Sequence, residues 1–175
     1  GWVLALWERG RAAWTRLSAV LDEPLAIDDD GTVDTVQPGA IVLRDVHFRY
    51  PGNTSAALSG LSLHIEPGTT LGLVGPTGSG KSTLIKLLLR QWMPHAGGIS
   101  WGGTALADHT LEALRAGIAW VPQEPILFSA SVAENIALAC PAATRAQIEA
   151  VAELAAVHED IVRLPRGYDT PVGER

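Results

Sequence analysis

The stretch Gly75-Pro76-Thr77-Gly78-Ser79-Gly80-Lys81-Ser82-Thr83 decides the fold class of this 175-residue chain. It satisfies G-x-x-x-x-G-K-[ST], the pattern of a loop that joins a buried strand to a helix and binds phosphate. The glycines let successive backbone N–H groups point at one anion, and the N-terminus of the following helix adds its positive dipole end. A strand expected over 70–74 and a helix expected over 81–92 supply this context. The stretch therefore predicts a nucleotide-phosphate site in an α/β fold.

The side chains of this loop have separate expected roles. Lys81 is predicted to reach the β- and γ-phosphates, Ser82 to place its hydroxyl on Mg²⁺, and Thr83 to help at the α- and β-phosphates. Tyr50 ends an earlier strand and is a candidate to stack on the base, a contact that contributes about 1–3 kcal/mol in single-strand binders. The predicted loop residues are Gly75, Pro76, Thr77, Gly78, Ser79, Gly80, Lys81, Ser82 and Thr83.

Composition limits the possible partners. The formal charge of -6 and the presence of only two lysines argue against a nucleic-acid binder, which needs a basic face. The single cysteine, Cys140, cannot form an internal disulfide, so a reducing, cytosolic setting fits best. Residues 1–7 lack the basic n-region of a signal peptide and are shorter than the roughly 20 residues that cross a bilayer. We expect that the chain begins at the end of a spanning helix.

The chain divides into three predicted segments. A helical spacing of apolar residues over 8–21 places a helix in the first segment, residues 1–21. Six acidic residues with interspersed Pro and Gly make residues 22–40 an exposed linker. The remaining residues, 41–175, form the nucleotide-binding domain.

Strands and helices alternate along this domain. Residues 41–50 and 61–65 read as antiparallel strands, whereas 70–74 and 117–121 read as buried strands, so we expect a mixed sheet. A helical turn is expected over 110–115. Ser131-x-x-Glu134 and Thr144-x-x-Gln147 are capping-box patterns, and the second should open one long helix that Pro165 and Gly167 end.

With these motifs in this order, the sequence resembles the nucleotide-binding domain of ABC transporters, specifically the exporter type of bacterial multidrug Mdl half-transporters. The resemblance covers essentially the whole chain. Arg49-Tyr50-Pro51 is similar to the family's adenine-stacking A-loop, and Gly75 to Thr83 is similar to its Walker A motif. Val121-Pro122-Gln123-Glu124, with the residues through Ile136, is similar to its Q-loop region. Gly167 to Arg175 is similar to its X-loop segment, which precedes the signature motif. Pro171 departs from the acidic residue that is usual there.

The resemblance implies an ABC-type ATPase that uses ATP and Mg²⁺. It implies catalytic roles for Lys81 and Gln123, with Gln123 reaching Mg²⁺ and the γ-phosphate side. The implied fold is a P-loop NTPase core with a mixed sheet and an antiparallel β subdomain. The implied partners are a transmembrane domain of the same chain, through which the protein meets the membrane, and a second half-transporter in a homo- or heterodimer. This segment would lie on the cytoplasmic side of the plasma (inner) membrane.

Several family elements are absent from these 175 residues. There is no Leu-Ser-Gly-Gly-Gln-like signature and no apolar strand ending in Asp-Glu. The nearest imitation, His158-Glu159-Asp160, falls within a predicted helix, so Glu159 is rejected as the catalytic base. We therefore expect an ATPase domain that is truncated before its signature and does not hydrolyse ATP alone.

Alternative functions stay open at this stage. A GTPase is disfavoured, because neither lysine follows an asparagine as guanine recognition by Asn-Lys-x-Asp requires. A small-molecule kinase would not explain the antiparallel strands before the phosphate loop. A non-catalytic, degenerate half of an asymmetric transporter remains compatible with the loop. A soluble importer ATPase is a third alternative, which is opposed by the apolar residues 1–7 leading into an Arg-rich helix. The exported substrate, whether drug, lipid or peptide, is not encoded in these residues.

Overall fold

The computed structural model describes residues 2–23 and 27–173, and its contacts divide the chain into two compact units, Gly1–Ala119 and Trp120–Arg175. In the first unit the elements are α1 (Trp2–Leu21), β1 (Ile41–Phe48), β2 (Leu58–Ile65), α2 (Lys81–Leu88), β3 (Ala96–Trp101), β4 (Thr104–Ala105), a 3-10 turn (Leu106–Asp108) and α3 (Leu111–Ala116). In the second they are β5 (Ala130–Ser131), α4 (Val132–Ile136), α5 (Arg145–Leu154), α6 (His158–Val162), a 3-10 turn (Gly167–Asp169) and β6 (Pro171–Val172).

Helix α1 contains the helix expected over 8–21 and continues it toward the N-terminus as far as Trp2. Its large apolar side chains face solvent, and Trp7 is 70% exposed. Within the described residues, no helix combines the length and the apolar character that crossing a bilayer requires.

The sheet of the first unit has the strand order β2-β1-β3-β4, and every neighbouring pair is antiparallel. The expected antiparallel strands are thus confirmed, although β2 begins at Leu58, three residues earlier than predicted. Central strand β1 contains a bulge at Asp45, whose φ is 49°. Because the extra residue shifts the alternation of faces, Leu43 and Val46 both reach the core.

Helix α2 covers this sheet through Leu84 and Leu87, which share one buried cluster with the core side chains of β1. Burial of a leucine side chain contributes about 1.5–3 kcal/mol, so this face fixes the helix on the sheet. The helix was expected to run to Trp92 but ends at Leu88. Arg90 adopts a left-handed φ of 47°, which stops the helical path.

The expected buried strands at 70–74 and 117–121 are wrong for this structure. Neither segment forms a strand, and Val74 and Val121 are 95% and 91% exposed. A strand requires a neighbouring backbone to complete its hydrogen-bond ladder, and no described residues provide one here. The parallel part of the expected mixed sheet is thus not seen among the described residues, where the one parallel pairing is an isolated bridge between Val33 and His109, outside the sheets.

Both predicted capping boxes are confirmed in the second unit. The Ser131 and Thr144 side chains each accept a hydrogen bond from the backbone N–H three residues later, and the Glu134 and Gln147 side chains return the contact. Because the pattern satisfies two helix N–H groups locally, four residues of sequence are enough to specify it.

The long helix expected after Thr144 is instead two helices, α5 and α6. Ala156 has a φ of 57° and separates them. Ile148, Ala152, Ile161 and Tyr168 form the buried core of this unit, while Leu154 is 88% exposed. The break therefore turns Ile161 toward Ile148 rather than continuing the stripe of α5.

Candidate nucleotide-binding site

The predicted phosphate loop forms an exposed turn that leads directly into α2. Gly78 and Gly80 have φ values of 85° and 88°, in the region where a side chain is strained. The first helical hydrogen bond runs from Leu84 N to Gly80 O at 2.9 Å. The N–H groups of the three preceding residues are therefore free of helical partners, as at every helix start. These donors and the helix dipole make the loop suitable for an anion.

Lys81 is folded over the mouth of this loop. Its Nζ donates to Gly75 O and Pro76 O, both at 2.8 Å, and to Ser79 Oγ at 3.2 Å. An ammonium group has three N–H donors, so all of them are engaged. A phosphate that binds Lys81 must replace one of these contacts. The contact to the Ser79 hydroxyl has the longest distance of the three, so we expect it to be the one replaced.

Ser82 and Thr83 have different environments although they are adjacent. Ser82 is exposed at the open end of α2, and its hydroxyl is the kind of hard oxygen that Mg²⁺ accepts. No group of three or more His, Cys, Asp or Glu side chains in 2–23 and 27–173 could hold a metal. Thr83 is 5% exposed, and its Oγ1 lies 3.2 Å from the Tyr50 hydroxyl.

Tyr50 is half-buried beside the phosphate loop. Its ring lies perpendicular to the rings of Phe48 and Trp92, with centroid distances of 4.9 and 5.5 Å. Lys86 Nζ lies 5.6 Å from the ring centroid, within cation–π range. The structure thus joins Tyr50 to the loop helix through Thr83 and Lys86. Sequence spacing gave no signal for these two contacts, because they depend on how β1 packs against α2.

Gln123 lies in the second unit, exposed and outside the helices and strands. The structure brings Tyr50 together with the residues around Gly75 to Thr83, all in the first unit. The proposed roles of these residues and of Gln123 stay predictions.

The two motif segments of the second unit meet each other. Strand β5, within the Q-loop region, pairs with β6, within the X-loop segment, through Ala130 with Val172 and Ser131 with Pro171. Asn135 of α4 binds the backbone just before β5: its Oδ1 accepts from Phe128 N at 2.8 Å, and its Nδ2 donates to Phe128 O at 3.0 Å. The last two residues of the predicted X-loop segment, 174 and 175, lie outside the described residues.

Charged side chains support both segments. Hydrogen bonds from the backbone and then from the side chain of Ser131 lower the pKa of Glu134 below its ordinary value. Arg145 forms ion pairs with Glu149 at 3.0 Å and Asp169 at 3.2 Å. Its guanidinium also lies 4.7 Å from the Tyr168 ring centroid. Burial raises the pKa of Tyr168. The turn that leads into β6 is therefore fixed to α5.

These features agree with a comparison against known families. The profile of the family described as "ABC transporter" matches residues 58–171, more than half of the chain. The chain belongs to the ABC transporter family. Membership implies nucleotide binding, and it confirms the α/β P-loop NTPase fold of the ABC ATPase type that the motifs predicted.

Relatives within the ABC family cover nearly all of the chain. The multidrug resistance-like ATP-binding protein MdlA of Escherichia coli is 44% identical over 174 residues, covering 99% of this chain and 30% of that protein. The ATP-dependent lipid A-core flippase of Saccharophagus degradans is 41% identical, covering 95% of this chain and 28% of that protein. The predicted resemblance to Mdl-type proteins is confirmed, and the chain spans about a third of the length of these curated relatives.

A solved ABC structure has the same fold. A bacterial Atm1-family ABC exporter with ATP bound superposes with a TM-score of 0.87 at 35% identity, covering 96% of this chain and 30% of that one.

Proposed function

We propose that this chain is the ATP-binding part of an ABC exporter, in which ATP binding and hydrolysis drive the export of a substrate across a membrane. The observation that carries the proposal is the phosphate loop at the open end of α2, with Lys81 held over it by Gly75 O and Pro76 O. The relatives' names support export, since one is a multidrug resistance-like protein and another a lipid flippase. Drug, lipid and peptide are all proposed substrate classes.

The proposed nucleotide is ATP with Mg²⁺. The free N–H groups at the start of α2 and Lys81 would bind the phosphates, and the Ser82 hydroxyl and Gln123 side chain would hold the metal. The Tyr50 ring would carry the adenine. Mg²⁺ would neutralise charge that develops on the transferring phosphate, while Lys81 and the helix N-terminus orient it. Gln123 would detect the γ-phosphate end.

The proposed assembly contains a transmembrane domain of the same chain and a second half-transporter. We place this segment on the cytoplasmic side of the plasma (inner) membrane, where ATP is available. The support is family membership together with the exporter names of the relatives. Nucleic acid is not a proposed partner, because the chain is acidic.

The proposal can be tested by calorimetric titration of the chain with Mg-ATP and with Mg-tripolyphosphate. Tyr50→Ala should weaken ATP binding by about 1–3 kcal/mol, the contribution of one stacked base, and leave tripolyphosphate binding unchanged. Circular dichroism would verify that the variant is folded. A folded wild-type chain that binds neither compound would contradict the proposed nucleotide site. Equal ATP affinities for wild type and variant would contradict the role of Tyr50 alone.

A further inference from the structure

Arg90 lies two residues beyond the end of α2 and is only 2% exposed. Among the described residues its guanidinium forms no ion pair. It donates instead to backbone carbonyls: Nη1 to Leu106 O and His109 O, and Nη2 to Asp28 O at 3.1 Å. Burying a charge is costly unless hydrogen bonds compensate it. The three hydrogen bonds therefore offset part of the cost of burying this charge, while Arg90 Nε has no hydrogen-bond partner among the described residues.

These carbonyls belong to two segments that are distant in sequence. Leu106 and His109 belong to the turn before α3, whereas Asp28 belongs to the linker that follows α1. One planar guanidinium thus joins the end of the phosphate-loop helix to both of them. An arginine suits this role because its donors are fixed in a rigid fork, whereas a lysine offers a single charged point.

Residues 27–34 of the linker, which we call the strap, are seated on the turn by further hydrogen bonds. The N–H groups of Thr32 and Val33 both donate to Asp108 O at 2.9 Å, and Thr110 N donates to Val33 O at 2.9 Å. Asp29 Oδ1 accepts from Leu111 N at 2.7 Å, at the first turn of α3. The acidic side chains remain exposed, as the sequence predicted, but the strap backbone is docked.

Gly31 shows how closely the strap approaches the turn. A Cβ atom at this position would lie 2.0 Å from His109 O and 2.4 Å from the His109 carbonyl carbon. No side chain fits between two backbones at this distance. Docking of the strap therefore depends on a glycine as well as on Arg90.

We propose that Arg90 is a positioning residue that latches the strap to the C-terminal end of the phosphate-loop helix. The connection between α1 and the nucleotide-binding domain is then a rigid element at this point rather than a free tether. Arg115 strengthens the same end, because its guanidinium donates to Leu89 O and Arg90 O at 3.4 and 3.3 Å. The inference goes beyond the proposed function, since it concerns the docked backbone and holds whether or not the chain binds ATP.

Amide hydrogen exchange on the full chain, followed residue by residue by NMR, tests the latch. In wild type, the amides of Thr32 and Val33 should be protected. In Arg90→Lys they should exchange at least about tenfold faster, the change expected from losing one charge-assisted hydrogen bond. The amide of Leu43, inside the sheet, should keep its wild-type rate and show that the domain is folded.

A second variant leaves Arg90 intact. Gly31→Ala should accelerate exchange at Thr32 and Val33 in the same way, because the added methyl group cannot be accommodated against His109 O. Gly10→Ala is the matched control, since a Cβ there meets nothing within 4 Å, and it should leave the strap amides unchanged. Unprotected strap amides in wild type would overturn the proposal, as would full protection retained in either Arg90→Lys or Gly31→Ala.

Discussion

Replacement of Lys81 by methionine should weaken binding of ATP far more than binding of adenosine. The Nζ group makes three contacts, to Gly75 O, Pro76 O and Ser79 Oγ. We expect a bound phosphate to take the place of the Ser79 hydroxyl, so that one hydrogen bond from Nζ passes from a neutral acceptor to an anionic one. Such a bond contributes about 1.5–3 kcal/mol, which corresponds to a loss of about 10- to 150-fold in ATP affinity.

Calorimetric titration with ATP, ADP and adenosine measures this difference directly. Lys86→Met is the matched control, because Lys86 is the other lysine of the chain and lies near the Tyr50 ring rather than in the loop. It should change the three affinities by one common factor, within the roughly 0.5–1 kcal/mol of an exposed cation–π contact. Adenosine affinity close to wild type in Lys81→Met would show an intact base site. An ATP affinity within about threefold of wild type in that variant would refute the phosphate role of Lys81.

Three further predictions concern stability and pH. In a urea titration, Gly97→Ala should lower the free energy of unfolding by about 2 kcal/mol or more, because Gly97 has a φ of 80° and a Cβ there would lie 2.2 Å from a backbone oxygen. At the neighbouring Gly98 a Cβ meets nothing within 4 Å, so Gly98→Ala should change the free energy of unfolding by no more than about 1 kcal/mol. Tyr50→Phe should lower the free energy of unfolding by about 0.5–1.5 kcal/mol through loss of the Thr83 hydrogen bond, and a double-mutant cycle with Thr83→Val should recover that coupling; additive effects would contradict it. The pKa of Glu134 is lowered in the folded chain, so this carboxylate should stabilise the fold fully above the ordinary glutamate pKa and lose its effect as pH falls through the lowered value. In thermal unfolding scans, Glu134→Gln should therefore lose less stability at acid pH than wild type. Identical pH profiles for the two proteins would contradict a stabilising role of the Glu134 carboxylate.

Features that depend on a few consecutive residues could be predicted from the sequence. The capping boxes at Ser131 and Thr144 need only four residues each, and both formed as expected. The phosphate loop and its helix start at Lys81 were also visible, because the glycine spacing is itself the structural requirement. Local chemistry was sufficient in each case.

Features set by distant backbone were not predictable in this way. Ala156 takes a left-handed φ and splits the expected helix, although alanine is a good helix former and gives no sign of a break. The docking of the strap could not be predicted either. Its acidic side chains indicate an exposed segment, but they do not determine which acceptor the backbone N–H groups of Thr32 and Val33 bind. Residues 70–74 have the composition of a buried strand, yet composition cannot supply the neighbouring strand that a ladder needs.

The two ends of α2 show how one short helix serves two purposes. At its start, Gly80 offers no capping side chain, so the positive end of the dipole stays available to an anion. At its other end, the Arg115 guanidinium binds the carbonyls of Leu89 and Arg90, so the negative end is neutralised by a fixed cation. Eight helical residues at 1.5 Å each separate these ends by about 12 Å. Leu84 and Leu87, which lie between the two ends, hold the helix on the sheet. If the phosphate loop moves, Arg90 must therefore move with it unless the core repacks. The open start and the closed end are therefore parts of one rigid element, and the strap is attached to the end opposite the phosphate loop.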